Sequence, residues 1–342
     1  MKASALALGT RGGWSRLGRA RLAGLGLLAL VVFALPLLFP GNYFVTVVGV
    51  SVGFHVILAV SLNLLVGYAG QISLGHAAFF GMGAYASGIL TTQYGWSPWL
   101  ALSAGLFAVF LVASLLARPV LKLRGHYLAM ATLGFGIIVH IVLVQAVGVT
   151  GGPDGLSGIP GLSLLGWQVA TDQDWYWVVA VAMLAVIALS LNVVDSRAGR
   201  ALRAVHGAEL AAQMMGIDSA RTKSQVFVLS AVLSSFAGSL FAHQQSFISP
   251  DSFSFYVSIE LLTMVVLGGM ASTFGAVFGA AALTVLRATL VVFHDYEMLV
   301  LGAVLMTIMI FLPQGLFVGL AQLFRHALAR HRSPEASSDG AA

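Results

Sequence analysis

Tyr43-Phe-Val-Thr-Val-Val-Gly-Val-Ser-Val-Gly-Phe-His-Val-Ile-Leu-Ala-Val-Ser-Leu-Asn-Leu-Leu-Val66 contains no lysine, arginine, aspartate or glutamate. A bilayer-crossing helix needs about 20 mostly apolar residues, because away from water every backbone N–H and C=O must be paired within the segment. This stretch meets that requirement. Working outward, 22–40 meets it on one side, and 76–93, 97–117, 127–148, 175–194, 225–247, 255–270, 273–293 and 297–319 on the other, with 76–93 and 255–270 the weakest. The expected fold class is therefore an all-α integral membrane protein of about ten transmembrane helices. Composition points the same way: 59% hydrophobic against 8% charged residues, with a mean hydropathy of +0.95, leaves no water-compatible surface for a soluble domain. The expected organisation is a basic N-terminal tail at 1–21, a transmembrane domain at 22–320 and a C-terminal tail at 321–342.

The positive charges are one-sided. With the N-terminus inside, alternating spans put Lys2 to Arg21, Arg118 to Arg124, Arg197 to Lys223 and Arg325 to Arg332 on the cytoplasmic face, leaving Arg287 apart. Asp154, Asp172, Asp174, Asp251, Asp295 and Glu297 fall on the other face, with an interfacial belt of Trp96, Trp99, Trp175, Tyr176 and Trp177. Both termini are expected in the cytoplasm, with 149–174 as a periplasmic loop and 195–224 as a cytoplasmic one. The basic clusters are topology signals, not a nucleic-acid stripe, so no nucleic-acid partner is expected. Arg11, Arg16, Arg19 and Arg21 ahead of an apolar run follow a signal peptide's charge order. The length of that run, Pro36 and Pro40, and the absence of a small-x-small cleavage site make it a first span.

Two stretches carry too much glycine for lipid-facing helix: Gly67-Tyr-Ala-Gly-Gln-Ile-Ser-Leu-Gly75, and Gly268-Gly-Met-Ala-Ser-Thr-Phe-Gly275 with Gly279. Broken or re-entrant segments of this kind free backbone groups to line a path, and their place in corresponding halves permits an inverted repeat. Close helix packing of the Gly-x-x-x-Gly type explains the same glycines equally well. The candidates for the path are Asn63, Gly67, Gly70, Gln71, Ser73, Gly75, His76, Glu260, Gly268 and Gly269, since polar groups within spans are expensive and so point to function. His55, His140 and Gln145 stand singly and read as interhelical hydrogen-bonding groups. Glu260 and Arg287 each need a partner or a watered site.

No catalytic or cofactor chemistry is expected. Lys2, Lys122 and Lys223 sit in no phosphate-binding Gly-x-x-x-x-Gly-Lys loop, so nucleotide hydrolysis would belong to another chain. Gly49-Val-Ser-Val-Gly53 fits the hydrolase elbow pattern, but it lies inside a membrane helix instead of a strand-turn-helix. There are no cysteines, and no His-x-x-x-His or His-Glu-x-x-His pair. The apolar loop Arg200-Ala-Leu-Arg-Ala-Val-His-Gly-Ala-Glu-Leu-Ala-Ala-Gln-Met-Met-Gly216 reads as a helix of about four turns stopped by Gly216, and such a helix needs a partner.

The run 67–85, the loop Thr150-Gly-Gly-Pro-Asp-Gly-Leu-Ser-Gly158, the stretch Glu209 to Ile217, and Phe247-Ile-Ser-Pro-Asp-Ser-Phe-Ser-Phe255 through Gly268-Gly-Met resemble the LivM-type permeases of branched-chain amino-acid ABC importers, over roughly 42–320. The resemblance implies transport of leucine, isoleucine or valine across a bacterial inner membrane. It implies a second related permease, two cytoplasmic ATPases that use the ATP, and a periplasmic substrate-binding protein. It also makes 195–224 a coupling loop for the ATPases. Ala211, Ala212 and Gly216 keep the spacing of a coupling motif, whereas Glu209 stands one position early and Leu210 holds the acid's place. Arg200, Arg203 and Ile217 complete the candidate coupling set. The alternatives are a permease of the same family for urea or short-chain amides, and an ion-coupled secondary transporter using Glu260.

Overall fold

The computed structural model describes residues 11–290, apart from 40, 43, 121, 122, 124, 165 and 166, together with positions 299, 302, 303, 306 and 310. The tenth expected span at 297–319 and the C-terminal tail fall essentially outside the described residues, as do residues 1–10. The chain forms α1 (Arg11–Leu38), α2 (Gly49–Asn63), α3 (His76–Thr92), α4 (Pro98–Val120), α5 (His126–Gln145), a single turn α6 (Val147–Thr150), α7 (Asp172–Asp195), α8 (Arg197–Gly207), α9 (Glu209–Met214), α10 (Ser219–Gln245), α11 (Phe255–Gly268) and α12 (Thr273–Leu290). Nine of these coincide with expected spans. Seven helices among the described residues are long and apolar enough to cross a bilayer. The two weak spans become α3 and α11, of 17 and 14 residues, about 25 and 21 Å long. Neither spans a 30 Å hydrocarbon core unaided.

The centre is α10, packed against α3, α4 and α2. Its Ser230, Ser234, Ser235 and Ser239 are all buried, and small side chains at helical spacing let neighbouring backbones approach closely. A Cβ on Gly83 would strike Ser235, and one on Gly238 would strike the Phe80 carbonyl. α2 is extended by π-helical turns at both ends, Phe44–Val48 and Leu64–Tyr68. Ile57, Ala59, Val60 and Leu62 bury its middle completely.

The two ends of the bundle differ. At one, β1 (Leu156–Ser157) pairs antiparallel with β4 (Phe247–Ile248), and β2 (Ser163–Leu164) with β3 (Trp167–Gln168). There His243 Nδ1–H donates to the Pro160 carbonyl at 2.7 Å, so its Nε2 accepts from Ser87 at 2.8 Å. Thr171 and Asp174 close a capping box on α7 at the same end. The other end gathers Arg21, which pairs with Asp195, the α8–α9 elbow, and both glycine-rich connections.

The coupling loop departs from the single four-turn helix expected for it. Ala208 is extended (φ −156, ψ 95) and divides α8 from α9. Gly207 before it is the weak helix former of the stretch, and the break turns Glu209 onto Lys223, 2.8 Å away. Gly216 ends the elbow at φ +82, the left-handed stop its sequence position suggests.

Candidate functional site

The two glycine-rich connections lie side by side. Asn63 Nδ2 donates to the Ser272 carbonyl and Asn63 Oδ1 accepts from the Ala271 amide, both at 3.1 Å. Ala271 has φ +59, unusual for a residue with a Cβ, and the Asn63 side chain holds that turn in place. Tyr68 Oη meets Thr273 Oγ1 at 3.2 Å. A Cβ on Gly67 would collide with Ala271. Gly268 packs backbone-to-backbone on Gly275 and Gly279, while Gly269 (φ +106) ends α11. Gly67, Gly268, Gly275 and Gly279 are therefore contact glycines, which is the packing alternative raised for them.

The 69–75 segment descends into the protein. Gly70 (φ +66) is exposed, and a Cβ there would stand 3.1 Å from His206 Nδ1 on α8. The Gln71 amide closes the turn on Leu65 O at 3.1 Å, the Leu74 amide donates to Thr132 Oγ1 at 3.0 Å, and Gly75 packs on the Thr132 carbonyl. His76 Nε2 lies 2.8 Å from Ser230 Oγ, whose own proton goes to Ser61 O, so His76 donates through Nε2 and its Nδ1 is a bare acceptor. Ser230 is seven residues beyond Lys223 on α10, about 10 Å further from the elbow. Among the described residues eight buried side-chain polar atoms have no hydrogen-bond partner, and three of the eight, Gln71 Oε1, Ser73 Oγ and His76 Nδ1, stand together here. An unpaired buried polar atom costs about 1–3 kcal/mol, so three within six residues form a polar seam that packing alone does not account for. A cavity of about 280 Å³ opens beside it, lined by Gly70, Gln71, His206, Glu209 and Lys223.

Glu260 lies on α11 two residues beyond Ser258, whose Oγ accepts from the Ala77 amide at 3.0 Å. Arg287 Nη1 donates to the Glu260 Oε1 at 2.6 Å, joining charges on two neighbouring membrane helices. His55 Nδ1 lies 3.1 Å from Thr284 Oγ1, an interhelical contact. Among the described residues His140 Nδ1 has no hydrogen-bond partner, and Gln145 is exposed.

In the elbow, Arg200 Nη1 donates to Asp195 O at 3.1 Å, while Arg203 and Ala211 are exposed. Ala212 faces inward at 4% exposure, and its carbonyl accepts from the Ile217 amide at 3.0 Å. The outward side chains are Leu210, Met214 and Met215, at 73%, 89% and 83% exposure.

The family model for the permease component of branched-chain amino acid transport systems matches residues 44–309. The chain belongs to that family. This permease is 39% identical to the high-affinity branched-chain amino acid transport system permease protein LivM of Escherichia coli K12, over 77% of this chain and 67% of that one. It is 25% identical to the LivH protein of Salmonella typhimurium, over 78% of this chain and 92% of that one. A shorter match, 33% over 40% of the chain, is to BraD of Pseudomonas aeruginosa. No solved structure matches. The permease is thus a multi-pass, all-α membrane protein of a family whose relatives include LivM and LivH permease proteins.

Ser230, Thr132, Ser258 and His206 also hold the seam in place, and none of them is among the residues expected from sequence. The serines of α10, recurring at helical spacing in an apolar run, were the available signal.

Proposed function

We propose that the chain is the permease subunit of an ATP-driven importer carrying branched-chain amino acids across the bacterial inner membrane. It works beside a second, related permease. Two separate ATPase subunits supply the energy, a periplasmic binding protein delivers substrate, and the chain has no catalytic site of its own. The 22–320 domain carries the path, 149–174 faces the periplasm, 195–224 is the cytoplasmic coupling loop, and both termini are cytoplasmic. The placement of Arg21, Arg118 and the elbow at one end of the bundle, opposite Asp154, Asp172 and Asp251, supports that orientation. A reporter fused after Lys223 is expected to read cytoplasmic and one inserted near Asp172 periplasmic; the reverse pattern would overturn the topology.

The observation that carries the path reading is the unpaired seam of Gln71, Ser73 and His76 beside His206 of the coupling loop. Asn63, Gly67, Gly70, Gly75, Gly268 and Gly269 shape and close the surrounding turns, and Glu260 belongs to the opposite half of the path. Gln71→Leu tests it. Removing an unpaired buried acceptor is neutral or stabilising for the fold. Thermal melting of the purified complex is therefore expected to hold or rise while uptake into vesicles falls roughly tenfold. Unchanged uptake would make the seam a packing feature.

A further inference from the structure

A second cavity, of about 420 Å³, lies at the strand-bearing end of the bundle between α2, α10, α11 and α12. Its volume is within the range of small-molecule sites, about 300–1,000 Å³. Glu260 and Arg287 both line it, the Glu260 side chain 10% exposed and that of Arg287 40%. A salt bridge inside a membrane bundle is poorly rewarded, because removing two charges from water offsets most of their attraction. Its position at the wall of a cavity points to a ligand that uses both charges. The cavity lining also carries an aromatic cluster, Phe54 and Phe80 each packed on Phe241 with ring centroids 5.6 and 5.3 Å apart, beside the polar Ser51, His55, Gln244 and Gln245. The cavity thus brings a plus–minus pair and an aromatic cluster together within one lining of mixed polarity.

We propose that this cavity is a binding site for the zwitterionic head of an α-amino acid with an apolar side chain, a waiting position on the outer half of the path. The inference rests on the import function proposed above and adds the site and its chemistry. The ligand's carboxylate takes the Arg287 guanidinium, its ammonium takes Glu260, and its side chain lies on Phe54, Phe80 and Phe241. A charge-assisted pair with Arg287 suits a planar carboxylate. A net-neutral zwitterion replaces one internal ion pair by two without leaving an unbalanced charge in the bundle. Asp172, also on the wall, adds a carboxylate that disfavours simple carboxylic acids. A ligand with a single charge would leave Glu260 or Arg287 without its counter-charge, so this site distinguishes an amino acid from its acid or amine analogue.

The absence of cysteine makes the test direct. A reporter cysteine is placed at Ser51 on the cavity wall, with Gln244→Cys as a second position, in the complete importer reconstituted in vesicles with cysteine-free partners. Modification by a small charged thiosulfonate is timed in the resting and ATP-trapped states. Leucine at about ten times its Kd is expected to slow modification roughly tenfold in at least one state. 4-Methylpentanoate and isopentylamine are expected to have no effect, and Glu260→Gln combined with Arg287→Gln to remove the protection. Three results would overturn the site: an importer that takes up leucine although leucine protects neither reporter, equal protection by a singly charged analogue, or protection that survives in the neutral double variant. An importer with the natural residues that takes up no branched-chain amino acid refutes the proposed function instead, so the two failures are separable.

Discussion

Replacing Met214 and Met215 together by glutamate is expected to abolish ATP-driven uptake while the subunit still inserts and keeps its thermal stability. Both side chains, with Leu210, point away from their own chain at the tip of the elbow, so stability is expected to change by no more than about 0.5 kcal/mol. Their contribution lies with whatever covers them. Burying a methionine contributes about 1.5–3 kcal/mol, so losing two amounts to about 3–6 kcal/mol, and placing carboxylates there adds a desolvation cost. At about 1.4 kcal/mol per tenfold, the affinity for the ATPases drops by more than about a hundredfold. Methionine also suits this position because its flexible thioether repacks as an interface moves. Ala212, the residue singled out by its spacing, faces inward, so a charge there would disturb the elbow itself and could not separate docking from folding. Co-purification of the ATPases and uptake into vesicles decide the matter: a double variant that keeps both would remove the elbow tip from the coupling surface.

The bundle was largely readable because hydrophobic length is a local requirement. The stretches at 43–66, 97–117 and 225–247 must be helices wherever they lie in a membrane, and α2, α4 and α10 follow. The weakness of 76–93 and 255–270 was readable for the same reason, and both emerge as helices too short to span. Contacts between helices were not readable. Glu260 and Arg287 are 27 residues apart on different helices, and no periodicity relates such positions, so their pairing had to come from the structure. The glycines were legible as a class and not one by one. Gly268, Gly275 and Gly279 form a backbone contact, whereas Gly70 supports a positive φ at the surface beside α8. Composition is the same in both cases, and the neighbour decides. The kink at Ala208 escaped for a related reason: alanine favours helix, and the Glu209–Lys223 pair that accompanies the break joins residues 14 apart on different helices.

The contact between Gly70 and His206 is where the elbow touches the unpaired seam, and Gly70→Val is expected to disconnect them. A β-branched residue at φ +66 is a steric outlier that costs roughly 1–2 kcal/mol, and its Cβ would stand 3.1 Å from the His206 ring, so the turn or α8 must shift. The shift is local, since Gly70 is exposed and lies outside both helices, so assembly with the ATPases is expected to survive. Uptake is expected to fall roughly tenfold or more while ATP hydrolysis continues, because motion of the elbow no longer reaches Gln71 and Ser73. Backbone strain and lost contact are separable. Asparagine tolerates the left-handed conformation, so Gly70→Asn tests the contact with little strain, and His206→Ala removes it from the other side. If the contact transmits the motion, Gly70→Asn and His206→Ala are non-additive in uptake per ATP hydrolysed, with an interaction of about 0.5–3 kcal/mol. Strict additivity, or a Gly70→Val importer with the natural ratio of uptake to hydrolysis, would mean that the elbow drives the path through α7 and α10 without the 69–75 turn.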